Sequence, residues 1–365
     1  MSGLDRRTLI GAALALGACE SAAQGQPPVP TEIGPLRAAA PFPLGVCAQV
    51  SHIADPEWAR LAATHFSQLT PEWEMKMEYV VQPDGSFRFD RADRLAAFAR
   101  AARMRLYCTA LVWYAQRPEG FEKLDESRTT FGRAYDNYIA ALVGRYRGQA
   151  VGWDVVNEAV AEDGHGWRES LWASRLGDFD HMRRAFDVAR AADPDAVLFL
   201  NDYNLESLPK KLDTFQRLVD RLLSVGAPVT GLGCQSHIDA SLPSGAYTRT
   251  LEALGRFGLP IHVSEIDVSI VRAGGGPRRR LEARQAELYG EAMEAFLALP
   301  ARQRFAFTLW GLRDKDSWLK RENAADTPLL FDDLGLAKAA AAGLAAPLGA
   351  LKPAGALYGT DDRAL

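Results

Sequence analysis

The chain has 365 residues, 48% of them hydrophobic, enough for one large α/β barrel or two ordinary domains with a sizeable core. A formal net charge of -4 gives no electrostatic reason to expect nucleic acid or an anionic membrane surface as partner. No short Cys–Cys spacing occurs, which argues against a metal knot.

In chain order, residues 1–19 read as an export signal and are set aside from fold reasoning. Asp5-Arg6-Arg7-Thr8-Leu9 places paired arginines before an apolar run, 9–17, too short to span a bilayer, which is the pattern of a twin-arginine signal. Leu16-Gly17-Ala18-Cys19 resembles a lipoprotein cleavage box that would leave Cys19 acylated as a lipid anchor. Ordinary cleavage near Ala22-Ala23 would release the protein instead. Either way an exported protein is expected, in the periplasm, on the outer membrane or secreted. Residues 20–36 read as a flexible linker rich in Pro, Gly, Gln and Ala. Residues 37–350 follow as the folded domain and 351–365 as a C-terminal tail.

Strand-like runs fall at 42–47, 65–70, 106–112, 151–156, 197–200, 231–235, 261–265 and 305–310. Between them, stretches at 91–103, 128–146, 181–192, 208–225, 247–257 and 280–299 repeat their apolar positions every three and four residues, as one-sided surface helices require. Strands alternating with helices predict a parallel sheet, and eight such units predict a closed (β/α)8 TIM barrel in a single domain. No internal repeat or composition break divides it. Gly274-Gly275-Gly276-Pro277 marks a mobile loop after the seventh strand, and Arg278 to Arg280 a solvated helix start. Cys47, Cys108 and Cys234 lie within or at the end of apolar runs and read as buried free thiols, although an exported protein could pair two of them.

A parallel barrel keeps its chemistry at the C-terminal ends of its strands, and there the residues are polar and aromatic. The run Val151 to Val156 stops being apolar at Asn157 and Glu158, and the seventh strand ends in Glu265 and Asp267. Thr70, Glu72, Trp73, Glu74 and Lys76 follow the second strand, and Trp113, Tyr114 and Gln116 the third. Asn201, Asp202, Tyr203 and Asn204 follow the fifth, Gln235 and His237 the sixth, and Trp310, Asp314 and Trp318 the eighth. Carboxylates and amides bind sugar hydroxyls and indoles stack on pyranose faces, so the set suits a polysaccharide or oligosaccharide. No phosphate-cradling glycine loop or metal-ligand spacing is present, so no cofactor and no metal are expected.

These residues make the chain resemble glycoside hydrolase family 10, the retaining β-1,4-xylanases. The resemblance runs from Thr70 to Trp318 through Trp153-Asp154-Val155-Val156-Asn157-Glu158, Leu200-Asn201-Asp202-Tyr203-Asn204, Gly233-Cys234-Gln235-Ser236-His237 and Val263-Ser264-Glu265-Ile266-Asp267. It closes with Leu309-Trp310-Gly311 and Ser317-Trp318. It implies that Glu158 is the general acid/base and Glu265 the nucleophile. His237, steadied by Asp267, would fix Glu265. Asn157 would bind the 2-hydroxyl of the −1 sugar, and Asp154 would support the Glu158 network. Glu72, Trp73, Lys76, Tyr114, Gln235, Trp310 and Trp318 would contact substrate. Glu158 should have a raised pKa, from the charge of Glu265 and from partial burial.

The chain departs from the family in the glycone subsites. Typical members read Glu-Asn-x-x-Lys after the second strand, where this chain has Glu72-Trp73-Glu74-Met75-Lys76. A histidine that follows Val-Trp in the family is Tyr114 here. Aromatics in place of small hydrogen-bonding groups should change specificity more than reaction type. The sequence therefore predicts a monomeric, retaining, endo-acting β-glycosidase of a β-1,4-linked glycan other than plain xylan, such as an acidic or bacterial exopolysaccharide. Arg313, Lys315, Lys320 and Arg321 are candidates to face an acidic sugar. The alternatives are an endo-β-1,4-xylanase with weakened binding and a non-catalytic glycan-binding protein on a hydrolase scaffold.

Overall fold

The computed structural model describes residues 32–124 and 127–350. The export signal with Cys19, most of the linker and the C-terminal tail lie outside the described residues.

Eight strands form the barrel wall: β1 (Leu44–Ala48), β2 (Gln68–Pro71), β3 (Arg105–Cys108), β4 (Ala150–Asn157), β5 (Val197–Asp202), β6 (Gly231–Cys234), β7 (Ile261–Ser269) and β8 (Arg304–Leu309), with two short strands, Val112–Trp113 and His237–Asp239, added on β4 and β7. Neighbours pair in parallel in this order, and β8 also bonds to β1, which closes the barrel. The helices that follow the successive strands are α1 (Pro56–His65), α2 (Asp90–Ala101), α3 (Arg128–Arg145), α4 (Asp180–Ala192), α5 (Pro209–Ser224), α6 (Ala246–Gly255), α7 (Arg278–Ala298) and α8 (Ala339–Ala345). This is the (β/α)8 barrel that the alternation predicts. The strands are buried almost throughout, because one face meets the helices and the other fills the barrel.

Three local expectations change. Residues 65–67 belong with α1 and its exit, and β2 begins only at Gln68. Asp55 caps that helix by accepting from the Glu57 and Trp58 amides, with Pro56 at its first position, a start signal that outweighs the apolar look of the run. The third run, read as 106–112, is broken: β3 ends at Cys108, and Val112–Trp113 return as a short separate strand on β4. Helix α8 has the sequence Ala-Ala-Ala-Ala-Gly-Leu-Ala, whose lack of polar contrast left no periodicity to read.

The barrel interior is partly polar. Thr308 Oγ1 lies 2.8 Å from His262 Nε2 and accepts from Gln68 Nε2 at 3.3 Å, and the Tyr107 ring meets His262 edge-on with centroids 4.3 Å apart. Tyr107 donates its hydroxyl to Asp154 Oδ1 at 2.5 Å. Burial lowers the pKa of His262, which keeps the imidazole neutral in this layer. Cys47, Cys108 and Cys234 are buried and unpaired, so the pairing of two of them is not realised. Among the described residues no helix is long and apolar enough to cross a membrane.

Gly45 makes room for this layer: a Cβ there would fall 2.2 Å from Thr308 Oγ1. Gly45→Ala should therefore destabilise the barrel by about 1–3 kcal/mol through overpacking. The urea midpoint of unfolding measures it, and an unchanged midpoint would show that the layer can yield.

Candidate active site

Strict alternation along β4 would point Asn157 away from the face that Asp154 occupies, yet both face the interior. The reason is a bulge: Asp154 pairs with Phe199 and Val156 with Leu200, so β4 spends one residue more than β5. Strand β7 does the same, with Val263 opposite Phe307 and Ile266 opposite Leu309. Each irregularity lies within a few residues of one of the two glutamates, and each re-aims the side chains beyond it. Glu158 then takes a left-handed backbone conformation, φ 57°, unusual for a residue with a long side chain. Its amide holds that turn by donating to the Asn201 carbonyl at 2.8 Å.

Glu158 and Glu265 both line one cavity of about 460 Å³, each more than nine-tenths buried. A chain of side-chain amides connects them. Asn201 Nδ2 donates to Glu265 Oε1 at 3.1 Å and to Asn157 Oδ1 at 2.9 Å. Asn157 Nδ2 donates to Glu158 Oε1 at 3.3 Å, and Gln235 Nε2 reaches both Asn157 Oδ1 and Glu158 Oε1 at 3.1 Å. On its other oxygen Glu265 meets His237 Nε2 at 3.3 Å, while His237 Nδ1 lies 2.9 Å from Asp267 Oδ2. Trp318 Nε1 donates to the same Asp267 oxygen at 2.8 Å.

The environments of these groups differ. Burial raises the Glu158 pKa, with Trp113 and then Gln235 opposing it, and the charges of Asp202 and Glu265 add only a lesser push. Burial also works against the His237 cation, but the carboxylates of Asp267 and Glu265 outweigh it and hold the imidazolium up to about 10. Asp154 is raised to about 8, by burial first and by the Glu265 charge second.

Trp73, Lys76, Trp310 and Trp318 also line the cavity. Lys76 Nζ stands 4.2 Å from the Trp73 ring centroid, 4.6 Å from that of Trp113 and 5.7 Å from that of Trp310, so its charge rests among three indoles.

Several expected contacts are placed elsewhere. Asp154 sits beneath the site on Tyr107 and makes no hydrogen bond to Glu158. Asp267 stands behind His237 rather than on the cavity wall. Glu72 is 2% exposed and accepts from Gln49 at 2.9 Å, below the cavity rather than on it. Tyr114 borders a small pocket behind Glu158, where the Arg168 guanidinium stacks 4.1 Å from its ring. Arg313 is buried between Asp55 and Asp316, so it cannot face a sugar.

Trp113, Asn201 and Tyr203 stand in the strand-end set read from the sequence but without an individual role, and Arg168 does not stand in it. Arg168 Nε donates to the Glu158 carbonyl at 3.2 Å and its Nη2 to the Tyr203 hydroxyl at 2.9 Å. Asn201 ends its strand as Asn157 does, and that parallel was the available signal. Arg168 follows no strand directly and left none. Among the described residues no group of three or more His, Cys, Asp or Glu is placed to hold a metal.

The chain matches the family model for glycosyl hydrolase family 10 over residues 36–347. It is 33% identical over 320 residues to "Exoglucanase XynX" of Acetivibrio thermocellus, covering 84% of this chain and 28% of that protein. It is also 33% identical over 313 residues to "Endo-1,4-beta-xylanase A" of Thermoanaerobacterium saccharolyticum, covering 82% and 26%. The chain thus spans little more than a quarter of the length of either relative. The family 10 structure from Paenibacillus barcinonensis superposes with a TM-score of 0.80 at 31% identity, over 87% of this chain and 99% of that one.

His237 couples the site to pH. A histidine raised from about 6.5 in the unfolded chain to about 10 here stabilises the fold fully below pH 6.5, and that contribution is lost as pH rises through 10. Wild type should therefore lose more stability between pH 6 and pH 10 than His237→Gln does. Equal slopes in urea titrations at several pH values would contradict the charged pair.

Proposed function

Because the chain belongs to glycosyl hydrolase family 10, we propose that it is a retaining endo-β-1,4-xylanase working by double displacement, with Glu158 as acid/base and Glu265 as nucleophile. The observation that carries this is one cavity holding two carboxyls in opposite hydrogen-bonding environments. Glu265 accepts from the His237 imidazolium and from Asn201, donors that favour a carboxylate ready to attack. Glu158 takes the Asn157 and Gln235 amide donors on Oε1, and burial raises its pKa, which favours the protonated form that an acid needs.

In the first step Glu158 protonates the glycosidic oxygen as the C1–O bond breaks, and Glu265 forms a bond to C1. In the second, the Glu158 carboxylate takes a proton from water, whose oxygen displaces Glu265 and regenerates both groups. Asn157, already oriented by Asn201 and Gln235, can meet the 2-hydroxyl of the sugar without reorganising. Trp310 and Trp318 give sugar rings apolar surface beside the nucleophile.

Xylan is favoured over another glycan on two grounds. One relative named above is called an endo-1,4-beta-xylanase. The aromatic replacements also intrude less than their positions suggest: Tyr114 packs on Arg168 behind Glu158, and of the two only Trp73 walls the cavity. In this reading the twin-arginine-type leader sends the enzyme out of the cytoplasm.

Glu265→Gln should reduce kcat on xylan by about 10⁴-fold or more. Glu158→Ala should cost about 10²–10⁴-fold on xylan, and far less on an aryl xylobioside whose leaving group needs no proton. Turnover near the parent level in both variants would end the catalytic assignment. Products of inverted configuration, seen by NMR in the first turnovers, would end the double displacement.

A further inference from the structure

We propose that a second cavity, beside the catalytic one, binds a uronic acid carried as a branch on the xylan backbone. The proposal rests on the xylanase reading and names a substrate feature that the reading leaves open. This cavity, of about 580 Å³, lies among the segments that follow β1, β2 and β8. Trp73 and Arg321 line both cavities and form the wall they share.

Three cations border it: Lys315, Lys320 and Arg321. Their acidic neighbour is already committed, because both oxygens of Asp316 accept from the buried Arg313 guanidinium, at 2.8 Å and 3.0 Å. Glu72 lies 3.8 Å from Arg321, but it is 2% exposed, accepts from Gln49, and has its pKa raised by burial. Lys320 spends one hydrogen bond, at 3.0 Å, on the Ala324 carbonyl and keeps its charge. The balance facing this space is positive.

The same wall carries an aromatic surface. Trp73 and Tyr79 lie with ring centroids 6.0 Å apart and planes 30° from parallel, and the Arg321 guanidinium stands 5.5 Å from the Trp73 centroid. An aromatic face beside cations fits an acidic sugar: the ring stacks, and the carboxylate meets the guanidinium and the ammonium groups. An unbranched xylan backbone bears no charge, so these cations have nothing to recognise on it. The β1, β2 and β8 side of the mouth lies across the barrel from β4, which bears Glu158, so the branch would sit away from the bond being cleaved.

The test uses the full chain with Glu265→Ala to stop turnover, titrated calorimetrically with three ligand types. These are xylotetraose, xylotetraoses carrying one glucuronic acid branch at each position in turn, and the same compounds with the branch carboxyl reduced to an alcohol. For one branch position the acid should bind about three- to tenfold more tightly than its reduced form at low salt, as a few exposed ion pairs allow. That advantage should shrink at about 0.5 M NaCl. It should also disappear when Lys315→Ala/Lys320→Ala, neither of which lines the catalytic cavity, is added to that background, while the same two substitutions in the chain that keeps Glu265 leave kcat/KM on unbranched xylotetraose at the parent value. Equal affinity for acid and reduced forms at every position, or no binding of either, overturns the proposal. Failure of the parent enzyme to cleave xylotetraose would instead remove the xylanase reading, and the comparison of acid with reduced ligand still judges the cationic site.

Discussion

The orientation of one amide, that of Asn201, decides the arrangement of the reacting groups. Ser264 donates its hydroxyl to Asn201 Oδ1 at 2.8 Å, which turns the NH2 group toward Asn157 and Glu265. Asn157 must then present its oxygen to Asn201, and so its own NH2 faces Glu158. A single hydroxyl thus fixes the sense of a relay from Glu265 to Glu158. Space for it comes from Gly233, where a Cβ would lie 2.2 Å from Asn201 Oδ1. Any side chain on β6 at that point would displace the amide and with it both carboxyls.

The relay also explains why the two catalytic strands are irregular. A regular β7 would send Ser264 and Glu265 to opposite faces, yet both bond to Asn201 inside the barrel. The bulge allows consecutive side chains to converge on one partner. In β4 the extra residue, followed by the left-handed turn at Glu158, brings Asn157 and Glu158 to the same cavity. The strain of that turn is offset by the Asn201 backbone hydrogen bond and by the buried network it completes.

Much of this was legible in the sequence, and the parts that were not share a cause. Apolar runs separated by amphipathic helices report the barrel because burial on both strand faces leaves a direct mark on composition. The glutamates were found because a carboxyl directly after a buried strand stands out against its surroundings. Bulges, a positive φ at Glu158 and the turning of Tyr114 onto Arg168 leave no such mark, since they depend on pairing across strands distant in the chain. Tyr114 shows the consequence. Placed by its position after Val112-Trp113 it reads as a sugar contact, whereas Arg168, far along the chain, could not be anticipated as its partner, and that expected sugar contact supported much of the case against xylan.

Charge balance at the barrel mouth brings these features together. Glu265, Asp267, Asp154 and Glu158 crowd a buried space, and four carboxylates could not ionise there together. Burial raises Asp154 to about 8 and shifts Glu158 upward, and the His237 imidazolium stands between Asp267 and Glu265. His237 and Asn201 hold Glu265 on its two different oxygens. The Lys76 side chain lies over the Trp73 and Trp113 rings rather than against Glu265. The environment of the mouth, more than the identity of its acids, sets Glu158 and Glu265 apart.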